Sequence, residues 1–451
     1  MSTDLRSRTH QLMSTVRSEL AELVALKSVA DPRQFPAEGC TQTAYRVRDM
    51  FLDEGFADVR LEVTPDGSEA VVGSRACSDP AAPTVLLYAH YDVQPPLDDA
   101  AWNTPPFELH EVNGRWYGRG AADCKGNILA HLVALRALGE DVPVNLRLVI
   151  EGSEEAGTGG LEAFVAANPD LFRADAILVC DTGNAAVGRP AVTVSLRGMV
   201  NIVVSVEALA SEVHSGMFGG PAPDALAALI AMLATLRDAQ GNTVIDGLDF
   251  GGTWTGEPYP SDQFRTDAGL LDGVELIGDG TVSDMLWARP AVTILGIDCP
   301  NVLGSTAAIT PKTAARLNLR VPPGMDPVVA RDALAAHLRS AAPWGVHVEI
   351  ETEALGAPFL AETSGPAYRA MASAMTEAFG VPMATLGQGG SIPLCNVFAD
   401  TYPQAEIILM GVEEPLALIH APNESVDPRE IELCALSEAL FLRGYADARS
   451  Q

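Results

Sequence analysis

Near the N-terminus, Leu12, Val16, Leu20, Leu23 and Val24 fall on one face of a helix, which predicts an amphipathic element packed on a sheet. The period then changes. Short apolar runs at 84–89, 146–151, 176–180 and 405–410 have the length and β-branched content of buried strands in a largely parallel sheet. Helical spacing at 127–138 and 161–167 lies between them, so the order of elements is that of an α/β layer structure.

From about residue 194 the texture is different. Alternating strands are predicted at 200–207 and 315–321, helices at 224–239 and 327–341, and a further strand at 346–353. Strand, helix, strand, strand, helix, strand is the order of a small ferredoxin-like α+β insert. Residues 247–280, dense in Gly, Asp, Pro and Thr, read as a long loop inside it. Helical signal returns at 367–379, and residues after about 357 complete the sheet. The expected organisation is a discontinuous α/β domain, 1–193 and 357–451, interrupted by an inserted domain at 194–356.

A chain of 451 residues exceeds what one hydrophobic core usually organises, which agrees with two domains. Its 29 Lys and Arg against 59 Asp and Glu give a formal charge of -30. Such a surface repels phosphate backbones and anionic headgroups, so neither nucleic acid nor membrane is an expected partner. The N-terminal region lacks the pattern of a secretory signal, and no apolar run reaches the length of a membrane span. Cys40, Cys77, Cys124, Cys180, Cys299, Cys395 and Cys434 are odd in number, scattered and free of CxxC spacing. Reduced thiols in a cytoplasm are the expectation.

Five clusters could carry chemistry. The run at 84–89 ends on His90, with Asp92 two residues on, and the ends of strands are where open α/β sheets hold ligands. His90 could ligate a metal while Asp92 holds its other ring nitrogen, although His-x-Asp alone also fits a structural histidine. In the second, Gly118, Gly120 and Gly126 flank Asp123 just before a helix. Its carboxylate could bridge two cations or merely cap that helix. In the third, the strand at 146–151 runs into Glu154 and Glu155, adjacent carboxylates whose repulsion a metal on one and a proton on the other would relieve. The fourth is Asp181, terminating a buried run, and the fifth His420, just before Pro422. Nitrogen and oxygen ligands without thiolate suit zinc or manganese. Two such ions would activate a water, with a glutamate taking its proton.

The motifs His-Tyr-Asp-Val-Gln-Pro at 90–95, Gly-Arg-Gly-x-x-Asp-x-Lys-Gly at 118–126, Glu-Gly-x-Glu-Glu at 151–155, His-Ser-Gly-x-Phe-Gly-Gly at 214–220, Gly-Gly-Ser-Ile-Pro at 389–393 and His-x-Pro-Asn-Glu at 420–424 occur together and in order. This set resembles the dinuclear-metal aminoacylase, acetylornithine deacetylase and carboxypeptidase G superfamily, closest to its carnosinase and cytosolic nonspecific dipeptidase branch. The resemblance spans most of the chain. It implies a zinc-peptidase-like catalytic domain, with the insert as lid and dimerisation domain of a homodimer. His90 and Asp181 would bind one ion, Glu155 and His420 the other, and Asp123 both. Glu154 would be the general base and Asp92 would orient His90. His214 would reach a substrate carbonyl in the partner's site, Arg320 would grip the substrate carboxylate, and Ser391 with the Gly389 and Gly390 amides would assist.

The implied reaction is hydrolysis of dipeptides with a free C-terminal carboxylate. Three positions depart from the family pattern. Cys124 stands where this branch commonly has a second aspartate. Gln388 replaces a glutamate that could meet a free α-amino group, which keeps N-acyl or N-carbamoyl amino acids as the alternative substrate class. Ala307 and Ala308 lie near a position where the family has Asn or Thr. A catalytically silent binding relative would have to explain why Glu154 and all five presumptive ligands remain.

Overall fold

The computed structural model describes residues 2–390 and 392–449. The chain divides into two compact units, one of Met1–Val194, Ala361–Leu386 and Pro393–Gln451, the other of Ser195–Leu360 with Gly387–Ile392. The short Gly387–Ile392 segment, which sequence assigns with its flanks to the first domain, clusters with the second unit.

The sheet of the first unit runs, from one edge, through Arg60–Val63, Glu69–Arg75, Asn145–Glu151, Thr84–His90, Ala176–Cys180, Glu406–Met410 and Ala191–Leu196. Its four central strands are parallel, in the registers His90 to Glu151, Tyr88 to Val179 and Met410 to Cys180. Both flanks are antiparallel. Ala176–Cys180 is buried throughout, and so is all of Thr84–His90 after its first residue. Continuous apolar runs have this fate when helices cover both faces of a parallel sheet. Helix Lys125–Leu138 packs against Ser2–Ala25 and Pro428–Arg449, and the last of these also packs against Pro366–Phe379. The parallel strands all end on the same side, so the residues that follow them, among them Tyr91, Gly152, Asp181 and Gly411, gather at one edge of the sheet.

The second unit is a ferredoxin-like α+β fold. Its elements, in chain order, are Gly198–Glu207, helix Ala225–Ala234, Ala291–Ile297, Lys312–Val321, helix Pro327–Ser340 and His347–Gly356. The strands lie side by side in the order 291–297, 312–321, 198–207, 347–356, every pair antiparallel. Val200, Ile202, Val204 and Val206 alternate inward against Leu229, Met232, Leu334 and Leu338 of the helices, as a period of two requires. Asp224 and Asp326 cap the two helices by accepting from the amides two and three residues on.

Two expectations need correction. The helix predicted over 224–239 stops at Ala234, because the turn around Gly241, with φ of 90°, folds Arg237 back to bridge Thr243. The region 247–280 is irregular except for helix Ser261–Asp267. Trp254, Tyr259 and Phe264 from it, with Trp287 beyond, form a chain of ring contacts that gives it a small core of its own.

Candidate metal centre

His90 closes a strand with no exposed side-chain surface. Its Nδ1 lies 3.0 Å from the main-chain carbonyl of Asp92, nearer than the 3.4 Å to the Asp92 carboxylate. That carboxylate is occupied elsewhere, accepting from the amides of Glu154 at 3.1 Å and Glu155 at 3.0 Å. Asp92 thus addresses His90 mainly through its backbone, and fixes the turn that carries the two glutamates through its side chain.

Asp123 divides its oxygens between two histidines. Oδ1 is 2.9 Å from His90 Nε2, and Oδ2 is 2.9 Å from His420 Nε2. The first nitrogen also faces Asp181 Oδ1 at 3.0 Å, and the second faces Glu155 Oε2 at 3.2 Å. Two sets of donors, His90 with Asp181 and His420 with Glu155, therefore share one carboxylate. All are nearly or fully buried except the His420 side chain, which is 53% exposed, so the cluster opens to solvent on that side. His420 sits in a tight segment where Leu418, His420 and Asn423 all adopt positive φ, a conformation that non-glycine residues hold only when their surroundings demand it. Asn423 supplies that demand, accepting from the Asn103 amide and donating to the Ala101 carbonyl.

The Asp123 loop is held from below by a residue that carries no role in the sequence reading. Glu424 is fully buried and accepts from the amides of Gly120, Ala122 and Asp123 and from Arg119 Nη1 at 2.7 Å. Its only sequence signal is its position within the His420 motif. Glu413, also unassigned in the sequence, lies close enough to Asp123 and Asp181 to share a cation with them. Its Oε1 is buried without a hydrogen-bond partner. Adjacency to the strand Glu406–Met410 is the signal that could have found it.

The electrostatics fit divalent cations. Burial first, and neighbouring carboxylates after it, push the carboxyls of Glu154, Glu155, Asp181 and Glu413 above their usual range. Asp123, although buried, is held low by hydrogen bonds from His420 and His90. Its hydrogen bond, followed by that of Glu155, raises His420 to about 11. Five acidic groups and two imidazoles in one pocket, with an orphaned carboxylate oxygen among them, form a hard oxygen and nitrogen donor set that positive charge would relieve. Cys124 is close enough to His90 and Asp181 to share a cation with them, but as a protonated thiol it is a poor ligand beside imidazole and carboxylate. Its thiol is buried, which raises its pKa, and it donates to the Cys180 carbonyl.

The remaining residues singled out in the sequence lie in the second unit. His214 is exposed on the short strand Val213–His214, whose partner in register is Ala308, and its Nδ1 accepts from the Gly216 amide at 3.1 Å. Arg320 is paired with Met199 near the end of its strand. The Gln388 carbonyl accepts from the Arg197 amide, and Gly390 is exposed. Ser391 lies outside the described residues.

The sequence pattern of peptidase family M20/M25/M40 matches residues 86–443. A cysteinylglycine-S-conjugate dipeptidase of Corynebacterium striatum is 42% identical over 436 residues, 95% of this chain and 94% of its own. A Beta-Ala-His dipeptidase of Mus musculus is 30% identical over 438 residues, covering 90% and 88%. Among solved structures, human carnosine dipeptidase 1 superposes with a TM-score of 0.81 at 25% identity, covering 99% of each chain.

Proposed function

Because this chain belongs to peptidase family M20/M25/M40, we propose that it is a metal-dependent dipeptidase, acting on dipeptides with a free C-terminal carboxylate. The observation that carries the reading is the divided carboxylate of Asp123, one oxygen toward each histidine. His90 and Asp181 would hold one divalent ion, Glu155 and His420 the other, and Asp123 would contribute to both. Zinc is the first candidate and manganese the second, since the donor atoms suit either. When bound, the ions supply Lewis acidity, making a water more acidic and polarising the scissile carbonyl.

The protein's own groups do the rest. Glu154, with its carboxyl raised by burial and by Asp181, is suited to take a proton from water and return it to the leaving amine. Asp92 orients it through the Glu154 amide. In the second unit, His214 serves as a donor to the developing oxyanion, and Arg320 receives the substrate carboxylate. Gln388 and Gly390 belong to that substrate subsite, and the family pattern assigns Ser391, outside the described residues, to it as well. Relatives named as dipeptidases support peptide over N-acyl or N-carbamoyl substrates.

The inserted unit is the lid and the dimerisation domain, and the enzyme is a homodimer. Support comes from the edge strand Ala291–Ile297, whose Ile294 and Leu295 are exposed near Ile230, as apolar surface awaiting a partner. A cytoplasmic location agrees with seven free cysteines. Among the described residues no helix is long and apolar enough to cross a membrane.

The test is a hydrolysis screen of free dipeptides against N-acetyl, N-succinyl and N-carbamoyl amino acids, with and without chelator. Chelator-sensitive cleavage of free dipeptides is expected, and Glu154→Gln should lose turnover while keeping metal. Cleavage of blocked substrates alone would overturn the dipeptidase reading.

A further inference from the structure

Arg197 stands between the strands Ala191–Leu196 and Gly198–Glu207, at the point where the second unit begins. It is one of the few charged residues of that unit to be buried, at 8% exposure. Yet no acid among the described residues pairs with it. Among the described residues its side chain has neither ion pair nor hydrogen bond, and its Nε is buried without a partner. Buried guanidinium groups are ordinarily paired, because loss of hydration is otherwise uncompensated.

Its surroundings make the omission sharper. The charge that acts on it is a second cation, Arg320, which adds to burial in lowering Arg197 to about 10. Arg320 is itself lowered by burial and has no ion pair among the described residues. The two come from adjacent strands, since Val321 pairs with Gly198 and Arg320 with Met199. A side chain at Gly389 would have its Cβ 2.9 Å from Arg197 Nη2, so this glycine leaves the guanidinium room. Arg197 is not sealed off either, as it lines a cavity of about 620 Å³ whose other lining residues lie within 237–293, among them Asp238 and Asp279, neither of which pairs with it. Two like charges on adjacent strands, neither with an ion pair among the described residues, form a site complementary to an anion.

We propose that Arg197 is the second guanidinium of a two-arginine clamp, joining Arg320 on the C-terminal carboxylate of the substrate. The inference rests on the dipeptidase reading for the identity of the anion. Arg197 then sets specificity for a free C-terminus, because a neutral amide leaves both guanidinium groups unpaired in a desolvated site.

The experiment measures binding rather than turnover, so that it stands apart from the success of that reading. N-acetylglycine and N-acetylglycinamide are titrated calorimetrically into the intact Glu154→Gln protein, alone and with Arg197→Met, Arg197→Lys or Arg320→Met. The parent should prefer the acid by at least ~10-fold, and Arg197→Met should abolish that preference. Arg197→Lys, which keeps charge but not the planar fork, should retain part of it. The Arg197→Met thermal midpoint should equal or exceed that of the parent, since an unpaired buried charge is removed. Unchanged acid preference in Arg197→Met, equal loss for acid and amide, or no preference in the parent would each overturn the clamp. If Arg197→Met does not fold, full acid preference in Arg197→Lys does so. Absence of dipeptide cleavage by the wild type, with acid preference intact, would instead count against the dipeptidase reading alone.

Discussion

The backbone amide of Glu154 donates to Oδ1 of Asp92 at 3.1 Å, and the next amide, of Glu155, donates to Oδ2 of the same carboxylate at 3.0 Å. One buried aspartate therefore fixes the turn that presents both the proposed base and a proposed ligand. Asp92→Asn is nearly isosteric, but its amide nitrogen would face an N–H donor. Turnover and metal affinity should fall roughly 10- to 100-fold, the usual scale for residues that orient ligands. Steady-state kinetics with metal titration checks this, and wild-type behaviour of Asp92→Asn would remove the role.

Arg119 and Glu424 form an ion pair at 2.7 Å, each side chain 1% exposed. Glu424 also gathers three amides around Asp123. Removing the acid strands the arginine charge and those donors together, so Glu424→Ala should destabilise the protein by about 3–5 kcal/mol. Denaturant unfolding monitored on the full chain provides the measurement. A loss below about 1 kcal/mol would mean that solvent takes over these partners.

Much of the fold is legible because the central strands are buried on both faces. Thr84–His90 and Ala176–Cys180 are continuous apolar runs that end abruptly in charge, and that boundary marks the edge where the cluster gathers. The ferredoxin-like order is legible from alternation in Gly198–Glu207. Its fourth strand, Ala291–Ile297, is not located by the sequence reading, since five of its seven residues are exposed at the sheet edge and their apolarity mimics no half-buried pattern. Glu413 and Glu424 escape it for the opposite reason. Their importance comes from depth and from backbone amides that converge only in three dimensions, which residue type and spacing do not encode. The same holds for Arg197, an ordinary charged residue in sequence whose distinction is a buried guanidinium without an ion pair among the described residues.

Burial of Glu430 raises its pKa from 4.5 to about 7, against hydrogen bonds from the Gly188 amide and Asn184. Its folded pKa lies above its unfolded value, so the folded state binds the extra proton between pH 4.5 and about 7, and stability falls as pH rises through that window. The full effect is roughly 3 kcal/mol. Glu430→Gln cannot titrate, and its stability should decline less than that of wild type between pH 5 and pH 8. Parallel slopes for the two proteins would exclude Glu430 as the source.

His420 is the exposed member of the cluster, with 53% of its side chain open, whereas His90 is fully buried. His420→Ala should consequently leave the fold intact while removing a donor from only one of the two sets. Metal content measured by elemental analysis should fall from about two ions toward about one per chain. Addition of zinc or manganese to chelated wild-type protein should raise its thermal midpoint by linkage, and His420→Ala should reduce that rise. Two ions retained by the variant would assign the second set to other residues.

His214 is exposed, and its side chain accepts from the Gly216 amide of its own turn. If it completes the site of a partner subunit, its loss and the loss of Glu154 damage different halves of the dimer. His214→Ala should depress turnover by ~100-fold or more, in line with removal of one oxyanion donor, while metal content stays at the wild-type level. Glu154→Gln alone should be equally impaired for a different reason, since its own site lacks the base. A mixture of the two, allowed to exchange subunits, contains heterodimers with one site that combines an intact Glu154 with an intact partner histidine. At equal input about half of the dimers are heterodimers, so activity should recover to about a quarter of wild type. Recovery that tracks heterodimer content locates His214 across the interface. No recovery after demonstrated exchange means that each subunit builds its site alone, and the role of His214 must then be sought within its own chain.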